Sequence, residues 1–221
     1  MIEIAPSMLS ADFLHLEKDV EMVNLNADIF HLDVMDGVLV PNISYGFPVV
    51  EAIAKKATKT LDVHLMIVHP EKYVERFAKV GAGMISFHLE ASDRDGTDPA
   101  QILARIRSYG VKAGLAINPD IPVERVYPYL KDADFILVMS VFAGFGGQKF
   151  IEDTYERVRA VKAEIARQGL SCRIEVDGGV SPSNACALAQ AGAEILVAGS
   201  AVFKAENPAD VISKMKSDDI A

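Results

Sequence analysis

The sequence lacks most features that would place it in a special environment. No uninterrupted apolar run approaches the roughly 20 residues that a membrane-spanning helix needs. The opening Met1-Ile2-Glu3-Ile4 has neither the basic start nor the apolar stretch of a secretory leader. A cytoplasmic protein with no membrane partner is the expectation. Positive charge is also scarce, with 22 Lys and Arg against 31 Asp and Glu and a formal charge of -9. Nucleic acids and anionic lipids both reward clustered cations, so neither is an expected partner, and any bound phosphate must be held locally. The only cysteines, Cys172 and Cys186, form no Cys-x-x-Cys pair and read as reduced, partly buried thiols. No Ser-rich linker or low-complexity tract divides the chain, so residues 1–221 are expected to form one domain. The Gly-x-Gly-x-x-Gly fingerprint of a doubly wound dinucleotide fold is missing too. The turn after the first apolar run reads Pro6-Ser7-Met8-Leu9-Ser10.

What is present is a regular alternation. Half of the residues are apolar, enough for one large core. Short runs rich in Ile, Val and Phe recur at 2–6, 29–33, 61–65, 84–88, 112–117, 135–139, 173–177 and 195–198 and predict strands. Amphipathic stretches between them, including 13–25, 71–80, 99–109, 154–168 and 184–191, predict helices, with Gly81, Gly110, Gly169 and Gly192 where helices should end. Eight strand-helix units predict an α/β fold, a (β/α)8 TIM barrel, whose active site belongs at the C-terminal ends of its strands. The polar end Ser217-Asp218-Asp219 is expected to fray.

Those strand ends carry the chain's most specific residues. His31 and Asp33 are two apart, so they leave the same face of an extended strand and can grip one ion. His64 and Asp177 end two further strands. Imidazoles and carboxylates closing buried strands are costly unless paired or ligated, so His31, Asp33, His64 and Asp177 form a candidate metal site. Two nitrogens and two oxygens suit Zn(II), and Fe(II), Mn(II) or Co(II) also accept them. By parity Asp62 points inward with His64, and Glu175 with Asp177. Both are candidates to orient a ligand imidazole or to be neutralised deeper in the barrel. His88 has no matching ligand on its own loop and reads as a hydrogen-bonded structural histidine. Glycines follow the last three strands, in Gly144-Phe145-Gly146-Gly147-Gln148, Gly178-Gly179 and Gly199-Ser200. Backbone N–H groups approach an anion closely at glycine, and late loops of this fold often hold phosphate, with Ser200–Phe203 as the short extra helix. Met35, Met66 and Met139 lie near the proposed ion, where thioethers offer no acidic proton.

Pro6-Ser7-Met8-Leu9-Ser10-Ala11-Asp12, His31-Leu32-Asp33-Val34-Met35-Asp36-Gly37, Val40-Pro41-Asn42, His64-Leu65-Met66, Gly144 to Phe150, Glu175-Val176-Asp177-Gly178-Gly179 and Gly199-Ser200 together resemble the ribulose-phosphate 3-epimerase family. The resemblance runs from Ile4 to about Lys216. It implies one divalent metal ion, a pentulose phosphate substrate, a homo-oligomer (dimer or hexamer), and interconversion of ribulose 5-phosphate and xylulose 5-phosphate in the pentose phosphate pathway. Residue by residue, it makes His31, Asp33, His64 and Asp177 the metal ligands, and Asp33 and Asp177 the acid/base pair. Ser7 and His64 become sugar contacts, and Gly144, Phe145, Gly146, Gly147, Gly178, Gly179, Gly199 and Ser200 the phosphate side. The chain departs from the family in having Phe142-Ala143 where a proline usually precedes the glycine loop, which leaves that loop less restricted. An allulose-6-phosphate epimerase and a catalytically inactive sugar-phosphate barrel are the alternative readings. A lysine-dependent decarboxylase or aldolase is a poorer fit, because no lysine ends a strand and Lys112 begins one.

Overall fold

The computed structural model describes residues 2–217. Its strands are β1 (Glu3–Pro6), β2 (Ile29–Met35), β3 (Thr60–Met66), β4 (Ala82–His88), β5 (Lys112–Ile117), β6 (Phe135–Met139), β7 (Arg173–Asp177) and β8 (Ile195–Ala198). All neighbouring strands pair in parallel, in the order β1-β8-β7-β6-β5-β4-β3-β2. The β1–β2 seam is shut by a parallel bridge between Ser7 and His31, by Asp28 N–H donating to Ile4 O at 3.1 Å, and by Ile4 N–H donating to Asp28 Oδ2 at 2.9 Å. This is the expected (β/α)8 barrel, nearly closed.

Parity divides the side chains of each strand. On β2, Phe30 and Leu32 face outward into the main core shared with the helices, while Ile29, His31, Asp33 and Met35 face the barrel interior. The interior is apolar at its N-terminal end, where Ala5, Ile29, Met84, Phe135, Ile195 and Val197 pack as a plug. Gly114 makes room for that plug, since a Cβ there would sit 2.3 Å from the Phe135 ring. Two residues further along the strands the interior becomes polar.

The helices are α1 (Leu16–Asn26), α2 (Phe47–Ala54), α3 (Val74–Val80), α4 (Leu89–Asp95), α5 (Pro99–Ser108), α6 (Thr154–Arg167), α7 (Ala185–Ala191), α8 (Ser200–Phe203) and α9 (Pro208–Lys216). Several differ from the sequence pattern for local reasons. The stretch from residue 13 starts its helix only at Leu16, because Asp12 folds the chain into a turn by accepting from Leu14 N–H and leaves Leu14 90% exposed. Residues 71–80 split into a 3-10 turn over Pro70–Lys72 and α3, after His69 enters at φ 51. Between β5 and β6 the crossover is a 3-10 segment over Val123–Tyr129 rather than an α-helix, with Pro128 inside it. Strand β2 runs two residues past 33 and β3 one residue past 65, so that Met35 and Met66 close them. Of the end expected to fray, Ser217 N–H donates to Ser213 O, and Asp218 and Asp219 lie outside the described residues. Among the described residues, no helix is long and apolar enough to cross a membrane.

Candidate active site and metal centre

Just above the plug, His31 and Asp33 on β2, His64 on β3 and Asp177 on β7 bring one ligand atom each within 4.8 Å of one another. Register explains the meeting, because Asp33 lies beside His64 across the β2–β3 pair, and the seam carries β7 and β8 round toward β2. Asp33 Oδ1 is 3.3 Å from both His31 Nε2 and His64 Nδ1. Asp177 Oδ2 is 3.9 Å from the first nitrogen and 4.0 Å from the second. His31 and His64 are fully buried. His31 Nε2 has no hydrogen-bond partner, an orphaned buried atom aimed at the carboxylates. Two imidazole nitrogens, one of them unpaired, and two carboxylate oxygens fit a divalent ion.

The far sides of these ligands are held by other residues. His31 Nδ1 is 2.6 Å from Asp62 Oδ2, so its N–H is donated away from the centre and Nε2 is left bare; Glu175 Oε1 stands 3.5 Å from the same nitrogen. His64 turns Nε2 to Nε2 of His88 at 2.9 Å and presents Nδ1 inward. Ser7 Oγ donates to Asp33 Oδ2 at 2.5 Å, and Asp33 N–H donates to the Tyr45 hydroxyl at 3.1 Å. Asp62 and Glu175 therefore both point inward as parity predicts, Asp62 hydrogen-bonded to His31 and Glu175 close beside it.

Proton affinities in the ion-free centre are pushed apart. Burial raises the Asp33 carboxyl, but the positive charge of His31, with His64 also close by, outweighs it and holds Asp33 well below the usual range. Burial, then the charge of Asp33, pushes Asp177 up to about 7. The two neighbouring carboxyls are thus shifted in opposite directions. Burial opposes charge on His31, yet the charges of Asp33 and Asp62 outweigh it and raise its proton affinity well above the ordinary value. Burial lowers His64 to about 4 and leaves it neutral. Glu175 is pushed up to about 8, by burial first and by Asp62 second.

Above the centre opens a cleft. Asp33, Asp177 and Ser7 reach it from below, as do Met35, Met66 and Met139. Gly144, Phe145, Gly146, Gly147, Gly178, Gly179, Gly199 and Ser200 line its other side. His31 and His64 lie beneath it and do not line it. No Lys or Arg is among the lining residues. Glycine is required at 178 and 179, where φ is 120° and 62° and a Cβ would come within 2.8 Å of Val141 N and 2.7 Å of Phe150 N. The loop between β6 and α6 is braced from inside, by Gln148 Nε2 donating to Phe142 O and Phe145 O, and from β2's loop, by Asn42 Nδ2 donating to Gly144 O at 3.0 Å. Glu90, Asn118 and Tyr45 escaped the sequence reading. Only Glu90 left a signal, two residues past His88 at a strand end.

Comparisons with known proteins agree with this arrangement. The model of the ribulose-phosphate 3 epimerase family matches residues 3–203. A ribulose-phosphate 3-epimerase of Synechocystis sp. is 47% identical, covering 98% of this chain and 94% of its own. The enzyme of the same name from Bacillus subtilis is 42% identical, covering 98% and 99%. Among solved structures, the 3-hexulose-6-phosphate synthase of Salmonella typhimurium superposes with a TM-score of 0.70 over 97% of this chain and 96% of its own, at 18% identity, a likeness of fold alone. With the family model spanning the barrel and relatives matching nearly end to end, this chain belongs to the ribulose-phosphate 3-epimerase family.

Proposed function

We propose that this isomerase inverts C3 of D-ribulose 5-phosphate to give D-xylulose 5-phosphate, using Asp33 and Asp177 as its acid/base pair and a divalent ion as cofactor. One observation carries the reading: two carboxyls, Asp33 and Asp177, come together on the cleft floor from strands separated by β1 and β8, and their surroundings shift their proton affinities in opposite directions. Inversion beside a carbonyl needs that inequality. The ionised carboxylate, Asp33, takes the proton from C3 as the C–H electrons move into a C2–C3 double bond. The protonated carboxyl, Asp177, returns a proton to the opposite face of C3, and the reverse reaction exchanges the two roles. Held by His31, Asp33, His64 and Asp177, the ion would supply positive charge for the ene-diolate oxygens. Ser7 keeps Asp33 Oδ2 oriented through its hydrogen bond and stands at the cleft to meet the sugar. The three methionines wall the planar intermediate from water without offering a proton.

The substrate phosphate belongs on the glycine side. With no cationic side chain lining the cleft, it is held by backbone N–H groups of the 144–147, 178–179 and 199–200 loops and by the Ser200 hydroxyl. The reading is tested with metal-stripped protein, assayed on ribulose 5-phosphate and on allulose 6-phosphate before and after anaerobic addition of Zn(II), Fe(II), Mn(II) or Co(II). The expected result is pentose epimerisation restored by at least one ion, with solvent deuterium entering C3. Faster turnover of the hexulose phosphate would reassign the substrate, and silence with every ion from folded protein would overturn the activity.

A further inference from the structure

His64 offers a bare Nδ1 to the centre only when its ring proton sits on Nε2. The neighbour of that nitrogen is itself a nitrogen, His88 Nε2, at 2.9 Å between fully buried, stacked rings. One N–H and one lone pair must meet there, so a proton on His64 Nε2 obliges His88 to carry its own on Nδ1. His88 Nδ1 faces Glu90 Oε1 at 3.5 Å. The same oxygen accepts Asn118 N–H at 3.1 Å and Asn118 Nδ2 at 2.7 Å. Asn118 Oδ1 in turn accepts the backbone N–H of Ala143 at 2.8 Å, in the loop over the cleft. The amide orientation of Asn118 follows from its partners, a carboxylate on one side and an N–H on the other. Arg157 fixes the segment from α6 by donating to the carbonyls of Asn118, Pro119 and Ile121.

With an ion between His64 Nδ1 and Asp33 Oδ1, which lie 3.3 Å apart without one, the reverse polarity is disfavoured at Glu90. If His88 donated from Nε2, its bare Nδ1 would face a carboxylate oxygen, two lone pairs opposed, and His64 would carry its proton on the nitrogen meant for the ion. We propose that His88 and Glu90 are positioning residues that hold His64 with Nδ1 bare toward His31, Asp33 and Asp177, and that Glu90, through Asn118, ties this state to the loop at Ala143. The inference rests on the metal-centre reading above. It gives β4, which supplies no ligand, a part in setting the ligand geometry, and it makes the ion and the loop sense each other without contact.

The test uses the full chain and zinc alone, in wild type and the variants His88→Phe, His88→Gln and Glu90→Ala. Zinc affinity is read by chelator competition, His64 ring protonation by 15N NMR, and the Ala143 amide by hydrogen exchange. His88→Phe, which cannot accept the His64 N–H, is expected to weaken zinc about 10- to 100-fold. His88→Gln, whose amide oxygen can accept it, should recover most of the loss. Glu90→Ala should weaken zinc and speed Ala143 exchange together, and it reads the same relay if His88→Phe does not fold. In wild type, removing zinc should speed Ala143 exchange, and in Glu90→Ala it should not. Equal zinc affinity in wild type, His88→Phe and Glu90→Ala would overturn the relay while leaving the metal centre standing, as would a His88→Gln no better than His88→Phe. A wild type that binds no zinc or other divalent ion would remove the centre and the relay with it.

Discussion

The two ends of the barrel interior are built from the same strands and obey opposite rules. At the N-terminal end, Ile29, Met84, Phe135 and Ile195 leave no polar group to satisfy, and every atom gains from packing. One pleat higher, His31 Nε2, Asp62 Oδ1 and both oxygens of Glu175 are buried without hydrogen-bond partners. Such groups destabilise a fold unless something pairs them. A chain selected only for stability would continue the plug upward. The switch from Ile29 to His31 on a single strand therefore marks where stability gives way to chemistry, and it teaches that the lower half is what allows the upper half to be underpaired.

Substitutions at the two ends should separate cleanly. Asp33→Asn or Asp177→Asn removes a carboxyl proposed to take or return the proton, so turnover should fall about 10²- to 10⁴-fold while thermal unfolding stays within a few degrees or rises; a lost fold would group these aspartates with the plug. Phe135→Ala should do the opposite, costing about 3–5 kcal/mol in urea unfolding with KM of the folded fraction unchanged. Glu175→Gln sharpens the boundary between the two. Its carboxyl is raised from 4.5 to about 8, so the folded protein holds a proton there that the unfolded chain has released. In metal-free protein that contribution is complete below about 4.5, declines as pH rises through the window and is gone above about 8. The variant should flatten the decline by on the order of 1 kcal/mol or more, measured as denaturation midpoints from pH 5 to 9; parallel curves would show that the carboxyl does not titrate in that window. Gly146→Val is expected to have the smallest effect. A Cβ there meets nothing nearer than 3.8 Å, so the side chain enters the cleft and should raise KM about tenfold, roughly 1.4 kcal/mol, with kcat and stability nearly intact.

Parity made much of this readable. The i, i+2 pairs His31–Asp33, Asp62–His64 and Glu175–Asp177 each declare a shared face once a strand is assumed, and the barrel then sends that face inward. The ranges of β5, β6, β7 and β8 followed from Val, Ile, Leu and Phe clusters because strands buried on both sides carry little else. What stayed hidden depends on contacts between segments far apart in the chain. Nothing in His88 alone says that Asn118, beyond α4, α5 and β5, will meet it through Glu90. Phe13 and Leu14 have helical spacing, yet a turn at Asp12 leaves them exposed, since one local hydrogen bond competes with periodicity there.

The pairing of β8 with β1 also bears on how the centre is assembled as the chain folds. Three of the candidate ligands sit on β2 and β3, neighbours that can pair early, but the fourth reaches them only when β7 and β8 have closed the ring onto β1. Contacts of such long sequence separation form late. On the ribosome, a nascent chain would thus carry His31, Asp33 and His64 as an incomplete chelate, which Asp177 would join only with the final strands.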